Sequence, residues 1–271
     1  MLHATTLRLL FFSGILISLI ILENIFPKRA LDQKRSIRWF NNLTLIVIGS
    51  TLVQFVIPLV PFAFTLYAKA HHFGVFNHLS LPCMVTLLLT IVIMDFLIYC
   101  QHVCFHKITF LWRLHLVHHT DLNLDVTSAE RFHPIEILLS TGYKLLAIFV
   151  FGFPPLDYLI FEILFNFFTQ FTHSNLRIPL LLDKCFRIAF ITPDIHRTHH
   201  SVRVEETNSN FGTIFIFWDK LFRLYLKAPM QGQQKMTIGL THFRAPSRLK
   251  LWHLLVIPFL KNITGGYANW F

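Results

Sequence analysis

Charge is the scarcest ingredient of this chain: Asp, Glu, Lys and Arg make up 14% of it, against about 25% in soluble domains. That excludes an ordinary water-soluble fold. Cysteine is nearly as scarce, and Cys83, Cys100, Cys104 and Cys185 form no C-x-x-C pair. An iron–sulfur cluster therefore has no thiolate set, and free thiols are expected. No G-x-G-x-x-G nucleotide fingerprint is present, nor a cytochrome b5-like haem module, so any electrons must come from outside. H-E-x-x-H is missing too, which removes the glutamate general base of a zincin protease. The net charge of +10 raises the question of nucleic acid. No helix-turn-helix, RNP or finger pattern accompanies it, so no nucleic-acid partner is expected. No repeat of solenoid length is visible.

What is abundant is apolar: 54% hydrophobic residues, thirty of them phenylalanine, with a mean hydropathy of +0.55. This is the composition of an integral membrane protein. Residues 6–22, 43–67 and 81–100 each approach or exceed the roughly 20 residues that cross a hydrocarbon core. The apolar run 137–172 is broken at Pro154–Pro155, which suits a helical hairpin that crosses and returns. The first stretch lacks a small-x-small cleavage site and is expected to be retained as a span. The loop after it carries Lys28, Arg29, Lys34, Arg35 and Arg38 against Asp32 alone, so it should lie in the cytoplasm. Alternation then puts residues 68–80 outside and returns the chain to the cytoplasm after about residue 101 and again from 173 onward. Thirteen basic and five acidic residues follow position 173, suiting a domain that rests on an anionic leaflet. Residues 250–261 are too short to span and should pack on the domain or lie in the interface.

Ten of the sixteen histidines fall between positions 102 and 200. Six form two copies of His-x-x-His-His: His115, His118 and His119 in HLVHH, and His196, His199 and His200 in HRTHH. Helical residues three and four apart share a face, so each copy aims its imidazoles at one point. His102 and His106 are one turn apart in QHVCFH, and His133 and His173 complete the set. Neutral imidazole suits iron, zinc, copper and nickel alike. A set of eight or more exceeds what one tetrahedral zinc takes and suggests two metals. The same topology puts both triplets on one membrane face, whereas a transporter would place ligands at mid-membrane depth. His3, His71, His72, His78, His242 and His253 lack ligand spacing with this set. Asp95 lies within the third apolar stretch and on one helical stripe with residues 99, 102 and 106. It is placed either to accept a hydrogen bond from the non-ligating nitrogen of His102 or to reach interfacial water. Glu130 and Glu136 near His133 are ligands, orienting partners or caps. Asp194 reads as the cap of the helix presenting the last triplet, and Asp121 and Asp125 as turn residues. The phenylalanines of FEILFNFFTQF either line a channel or face lipid.

The ordered boxes H-x3-H (His102, His106), H-x2-HH (His115, His118, His119), R-x-HP-x-E (Arg131 to Glu136), THSN (His173 to Asn175), H-x2-HH (His196, His199, His200), N-F-G (Asn210 to Gly212) and W-D-K-L-F (Trp218 to Phe222) resemble the fatty acid hydroxylase/sterol desaturase superfamily over about residues 90–228. Val103 departs from the Arg that many members carry directly after the first histidine. The resemblance implies an all-α integral membrane bundle, three spans plus a helical hairpin, with a cytoplasmic helical cap holding two irons. It implies O2-dependent hydroxylation of a fatty acyl, sterol or alkyl lipid, with electrons from a separate reductase and a ferredoxin or cytochrome b5-type carrier. It also implies His102, His106, His115, His118, His119, His196, His199 and His200 as iron ligands. His133 and His173 match intervening positions, and Asp95 and Asn210 support the site. The expected organisation is an N-terminal membrane region (1–80), a di-iron domain (81–228) and a cytoplasmic or interfacial tail (229–271). Lipid desaturation on the same irons, a membrane metal-binding or transport protein and a zinc-dependent membrane hydrolase are the rival readings.

Overall fold

The computed structural model describes residues 2–261 together with Ile263 and Tyr267. Nine helices carry the architecture: α1 (Leu2–Ile25), α2 (Arg35–Val56), α3 (Pro61–Ala70), α4 (Cys83–Lys107), α5 (Thr109–His119), α6 (Pro134–Phe151), α7 (Pro155–His173), α8 (Leu180–Phe186) and α9 (Pro193–His199). Shorter helical turns and isolated bridges fill the rest. Among the described residues, four stretches are long and apolar enough to cross a membrane: Thr5–Ile25, Arg35–His78, Cys83–Lys107 and Pro134–Phe151. Their outer faces are bare hydrocarbon, with Leu10 64%, Phe55 86% and Leu88 56% exposed. A soluble protein could not leave such a belt uncovered, and the chain is an integral membrane protein. The α7 helix is also 19 residues long, but Asp157, Glu162, Asn166 and Gln170 lie along it, and it packs inside the bundle against α1, α3 and α4.

Contacts between distant residues fix the direction of each helix. Arg8 at the start of α1 bonds Glu162 near the start of α7, while Glu23 near the end of α1 accepts from the backbone of Val126 and Asn175. Gly49 of α2 sits against Ile137 at the start of α6, and Gly74 sits against Gly152 just past its end. So α1 descends toward the histidines, α2 and α3 climb away together, α4 descends, and α6 and α7 form the hairpin. The stretch expected over 43–67 is interrupted: α2 stops at Val56 and α3 restarts at Pro61. Pro58 and Pro61 explain the break, because proline lacks a donor and pushes its predecessor out of the α region. At the other turn Gly152 takes φ +65° as the C-cap of α6, and a Cβ there would lie 2.2 Å from the carbonyl oxygen of Phe73. Only glycine fits that close approach.

The basic loop after α1 packs on the His-bearing end, with Lys28 bonding Asp194 at 2.7 Å and Arg29 bonding the carbonyls of Gln233 and Met236 at 2.8 Å each. The tail folds back onto the same end. Leu254 and Ile257 are buried with Trp112, Leu116 and Leu45, while Trp252 stays 71% exposed.

Candidate metal centre

Two helices deliver histidines from the bundle and two short ones deliver them from below it. His102 and His106 lie one turn apart at the end of α4, and His173 ends α7. The α5 helix presents His115, His118 and His119, and α9 presents His196 and His199, with His200 as its C-cap. These nine form two groups. His102, His106, His115, His119 and His199 bring one ring nitrogen each within 4.8 Å of one another, and His118, His173, His196 and His200 do the same. The groups adjoin, with the ring centroid of His200 in the second 4.5 Å from that of His119 in the first.

The donor chemistry fits a pair of cations. In the second group, Nε2 of His173 lies 3.0 Å from Nε2 of both His118 and His196, and Nε2 of His196 lies 3.2 Å from that of His200. Imidazole nitrogens each about 2.1 Å from one ion sit roughly 3.0 to 3.4 Å apart at octahedral or tetrahedral angles. Nine ring nitrogens in the two groups are buried without a hydrogen-bond partner, among them Nε2 of His102, His115, His119 and His199. Left bare, each costs about 1–3 kcal/mol; a metal removes that penalty at one nitrogen of each ring that ligates it, as for Nε2 of these four. The triplet histidines His115, His118, His119, His196, His199 and His200 are all held well below the ordinary imidazole range, first by burial and then mainly by the neighbouring imidazoles. They are neutral at pH 7 and offer lone pairs.

Four of the opposite nitrogens are fixed by acceptors, the usual arrangement for metal-bound imidazole. Nδ1 of His115 bonds Glu136 at 2.6 Å, that of His102 bonds the Phe211 carbonyl at 2.8 Å, that of His199 the Ser209 carbonyl at 2.7 Å, and that of His173 the Thr169 carbonyl at 2.6 Å. Two of these carbonyls flank Asn210, which holds a left-handed φ of 55° and anchors itself to Leu226 and the Ile195 carbonyl. Asn210 makes no hydrogen bond to a histidine among the described residues; it shapes the turn that does. Gly212 follows because a Cβ there would lie 2.7 Å from the Phe215 oxygen.

Three expected roles come out differently. His133 stands outside both groups: its Nδ1 accepts from Ile135 N as the N-cap of α6, and its Nε2 pairs with the Leu255 carbonyl. Asp95 does not reach His102 or water. Fully buried, it accepts from Ile214 N, Phe215 N and Trp218 Nε1 at 3.1, 3.3 and 2.9 Å. With Asp219, which accepts from Phe211 N and Gly212 N, it clamps the 211–219 segment to α4. Burial pushes the Asp219 carboxyl up to about 7. Asp194 is not a cap, since Thr192 occupies that place; its carboxylate instead binds Lys28 and Arg197. Asp121 and Asp125 do more than turn the chain, as both accept from the buried Arg38.

The description of the fatty acid hydroxylase family matches residues 87–223, half of the chain and every histidine of the two groups. The chain belongs to the fatty acid hydroxylase family. It is thus an oxidoreductase of the hydroxylase type. An ornithine lipid hydroxylase of Rhizobium tropici is 28% identical over 248 residues, 87% of this chain and 72% of that protein. The human alkylglycerol monooxygenase is 28% identical over 65% of this chain but 38% of its own length. The rat cholesterol 25-hydroxylase is 24% identical over 52% of this chain and 47% of its own. The chain thus spans under half of the latter two. No solved structure gives a significant match.

Proposed function

We propose that this protein is a membrane di-iron lipid hydroxylase. The two histidine groups, five and four strong, hold one iron each, and the orphaned buried nitrogens carry this reading. Bound there, the irons would supply the activation of O2 that an unreactive lipid C–H bond demands. The chain does the rest. Glu136 and the carbonyls of residues 169, 209 and 211 hold four of the rings, His115, His173, His199 and His102, in one tautomer, and burial keeps the imidazoles neutral and bulk water out. A cavity of about 240 Å³ opens from His102, His115, His118, His173 and His196 into the bundle between Ile46, Ile98 and Phe165, which gives a lipid a route from the membrane. The similar proteins are named for hydroxylation or monooxygenation of lipids, which favours oxygen insertion over desaturation. Electrons come from a separate reductase with a ferredoxin or cytochrome b5-type carrier. The basic loop 28–38 packs on the His-bearing end, so the positive-inside rule supports a cytoplasmic site. Residues 81–228 form the oxygenase unit, with 1–80 as its membrane frame and 229–271 as its tail.

Metal analysis of purified protein tests the reading. About two irons per chain are expected, whereas zinc alone after careful iron loading overturns it. His199→Ala and His118→Ala, one from each group, should each lower iron content and abolish turnover while leaving the protein in the membrane. The oxidised lipid is to be found by lipidomics of cells with and without the gene, as a gain of one oxygen.

A further inference from the structure

The cavity that opens at the histidines is not uniformly apolar. Lys144 on α6 and Asn166 on α7 both line it. Neither the Lys144 ammonium nor the Asn166 amide makes a hydrogen bond among the described residues; Lys144 rests over the Phe165 ring, 4.9 Å from its centroid. The carboxylate whose charge acts on Lys144 is Glu162; Arg8 bonds its Oε1 at 3.1 Å, and its Oε2 makes no hydrogen bond to Lys144 or to any other described residue. Two unmatched donors inside a membrane bundle are costly unless something pairs with them.

Their depth is the same. Lys144 lies eight residues beyond Glu136, which holds His115, and Asn166 lies seven residues before His173. At about 1.5 Å per residue both stand roughly 10 to 12 Å along the bundle from the histidines. They form the tier of polar side chains farthest from the histidines, on facing helices, with Gln101, Ser140, Thr141 and Thr169 lining the passage between.

Building on the lipid-hydroxylase reading above, we propose that Lys144 and Asn166 recognise a hydrogen-bond-accepting oxygen group of the substrate. That group is a carboxylate or an ester or amide carbonyl, held about 10 Å from the C–H bond presented to the metals. The two residues thereby select an oxygenated lipid over a plain hydrocarbon chain and set which carbon is oxidised. A site built to satisfy such a group rejects the analogue lacking it, because its own donors are then stranded.

Binding to the purified, metal-free full-length protein tests this without turnover. Hexadecanoic acid, methyl hexadecanoate and hexadecane are titrated in turn and bound adducts counted by native mass spectrometry. The wild type should retain the acid, the ester or both at least tenfold better than hexadecane: acid alone marks a carboxylate, acid and ester together a carbonyl. Lys144→Met should bring the preferred probe down to the hexadecane level, and Asn166→Leu should weaken it several-fold. Lys144→Gln should rescue ester binding but not acid binding. Equal retention of all three probes by the wild type, or retention unchanged within twofold in both Lys144→Met and Asn166→Leu, overturns the proposal. Iron content of the same variants, measured in parallel, should match the wild type. A wild type that fails to take iron would instead sink the di-iron reading and leave the binding result standing.

Discussion

Arg38→Met should cost about 3–5 kcal/mol at pH 7, the usual penalty for stripping one partner from a buried charge cluster. Arg38 is 3% exposed, and its guanidinium grips Asp121 bidentately at 2.9 and 2.8 Å, bonds Asp125 and the Asn123 carbonyl, and reaches Ser128 at 3.1 Å. Asp121 and Asp125 are 1% and 0% exposed, so the variant leaves two carboxylates in the interior with Arg131 as the nearby cation and otherwise neutral donors, the Trp39 indole, the Ser128 and Thr127 hydroxyls and backbone amides. These residues follow directly on the second histidine box, and the damage should reach the metal site. In detergent, unfolding followed by tryptophan fluorescence should show an apparent Tm lower by roughly 6 to 20 °C, with weaker iron binding. The pH dependence supplies a sharper check. Arg38 holds the Asp121 carboxyl well below the usual carboxylate range against the opposing effect of burial. That contribution is full above the unfolded value near 3.9 and fades as pH falls through it toward the folded one. In the variant the stranded carboxylate titrates upward, so it is relieved by protonation. The gap between wild type and variant must therefore narrow from pH 7 to pH 5. A loss under about 1 kcal/mol at pH 7, or a gap that widens on acidification, would refute the buried-network argument.

Other consequences are as concrete. Glu136→Ala frees the His115 ring and should weaken iron binding about 10- to 100-fold, read by titration of the stripped protein; Glu136→Gln keeps an acceptor and should lose less. Burial pushes the Glu130 carboxyl up to about 7, opposed by the bond from Gln170. An acid raised in the folded state loses stability as pH rises through that value, so metal-free wild type should lose on the order of 2–3 kcal/mol between pH 5 and 8 that Glu130→Gln does not. A matching pH profile in the variant would show Glu130 to be solvated. Acidification should release metal, because the triplet histidines are depressed below the unfolded value near 6.5. Their stability is present above that pH and lost below it, as protons compete with the cations. Retention of full iron at pH 5 would argue against imidazole ligation.

The histidine boxes were legible because helical spacing alone converges i, i+3 and i+4, and because an even number of crossings between the basic loop and each triplet brings both to its end of the bundle. The acceptors behind them were not. The partner of His102 is a backbone carbonyl 109 positions away, and a carbonyl carries no residue identity that a sequence could advertise. Asp95 shares a helical stripe with His102, but seven residues amount to about 10.5 Å of rise, too far for a hydrogen bond; the stripe was real and the distance excluded the contact. His133 was misplaced for a local reason. It precedes Pro134, which occupies the first turn of α6, so its ring is best used in capping a helix whose first amides lack partners.

The phenylalanines of α7 show where periodicity divides a question that composition cannot. Phe165 lines the cavity, Phe167 is 37% exposed on the outer face, and Phe161 is fully buried in the bundle core. Residues two apart on a helix point about 200° apart, so channel lining and lipid contact hold for different members of one run. Lys144 reaches the cavity over Phe165 for the same reason, and its position on the inner face, rather than its presence in an apolar helix, makes it a candidate to read the substrate. A lysine on the face of Phe167 could have extended toward the headgroups. On this face it lines the cavity, where an acceptor carried by the lipid can meet it.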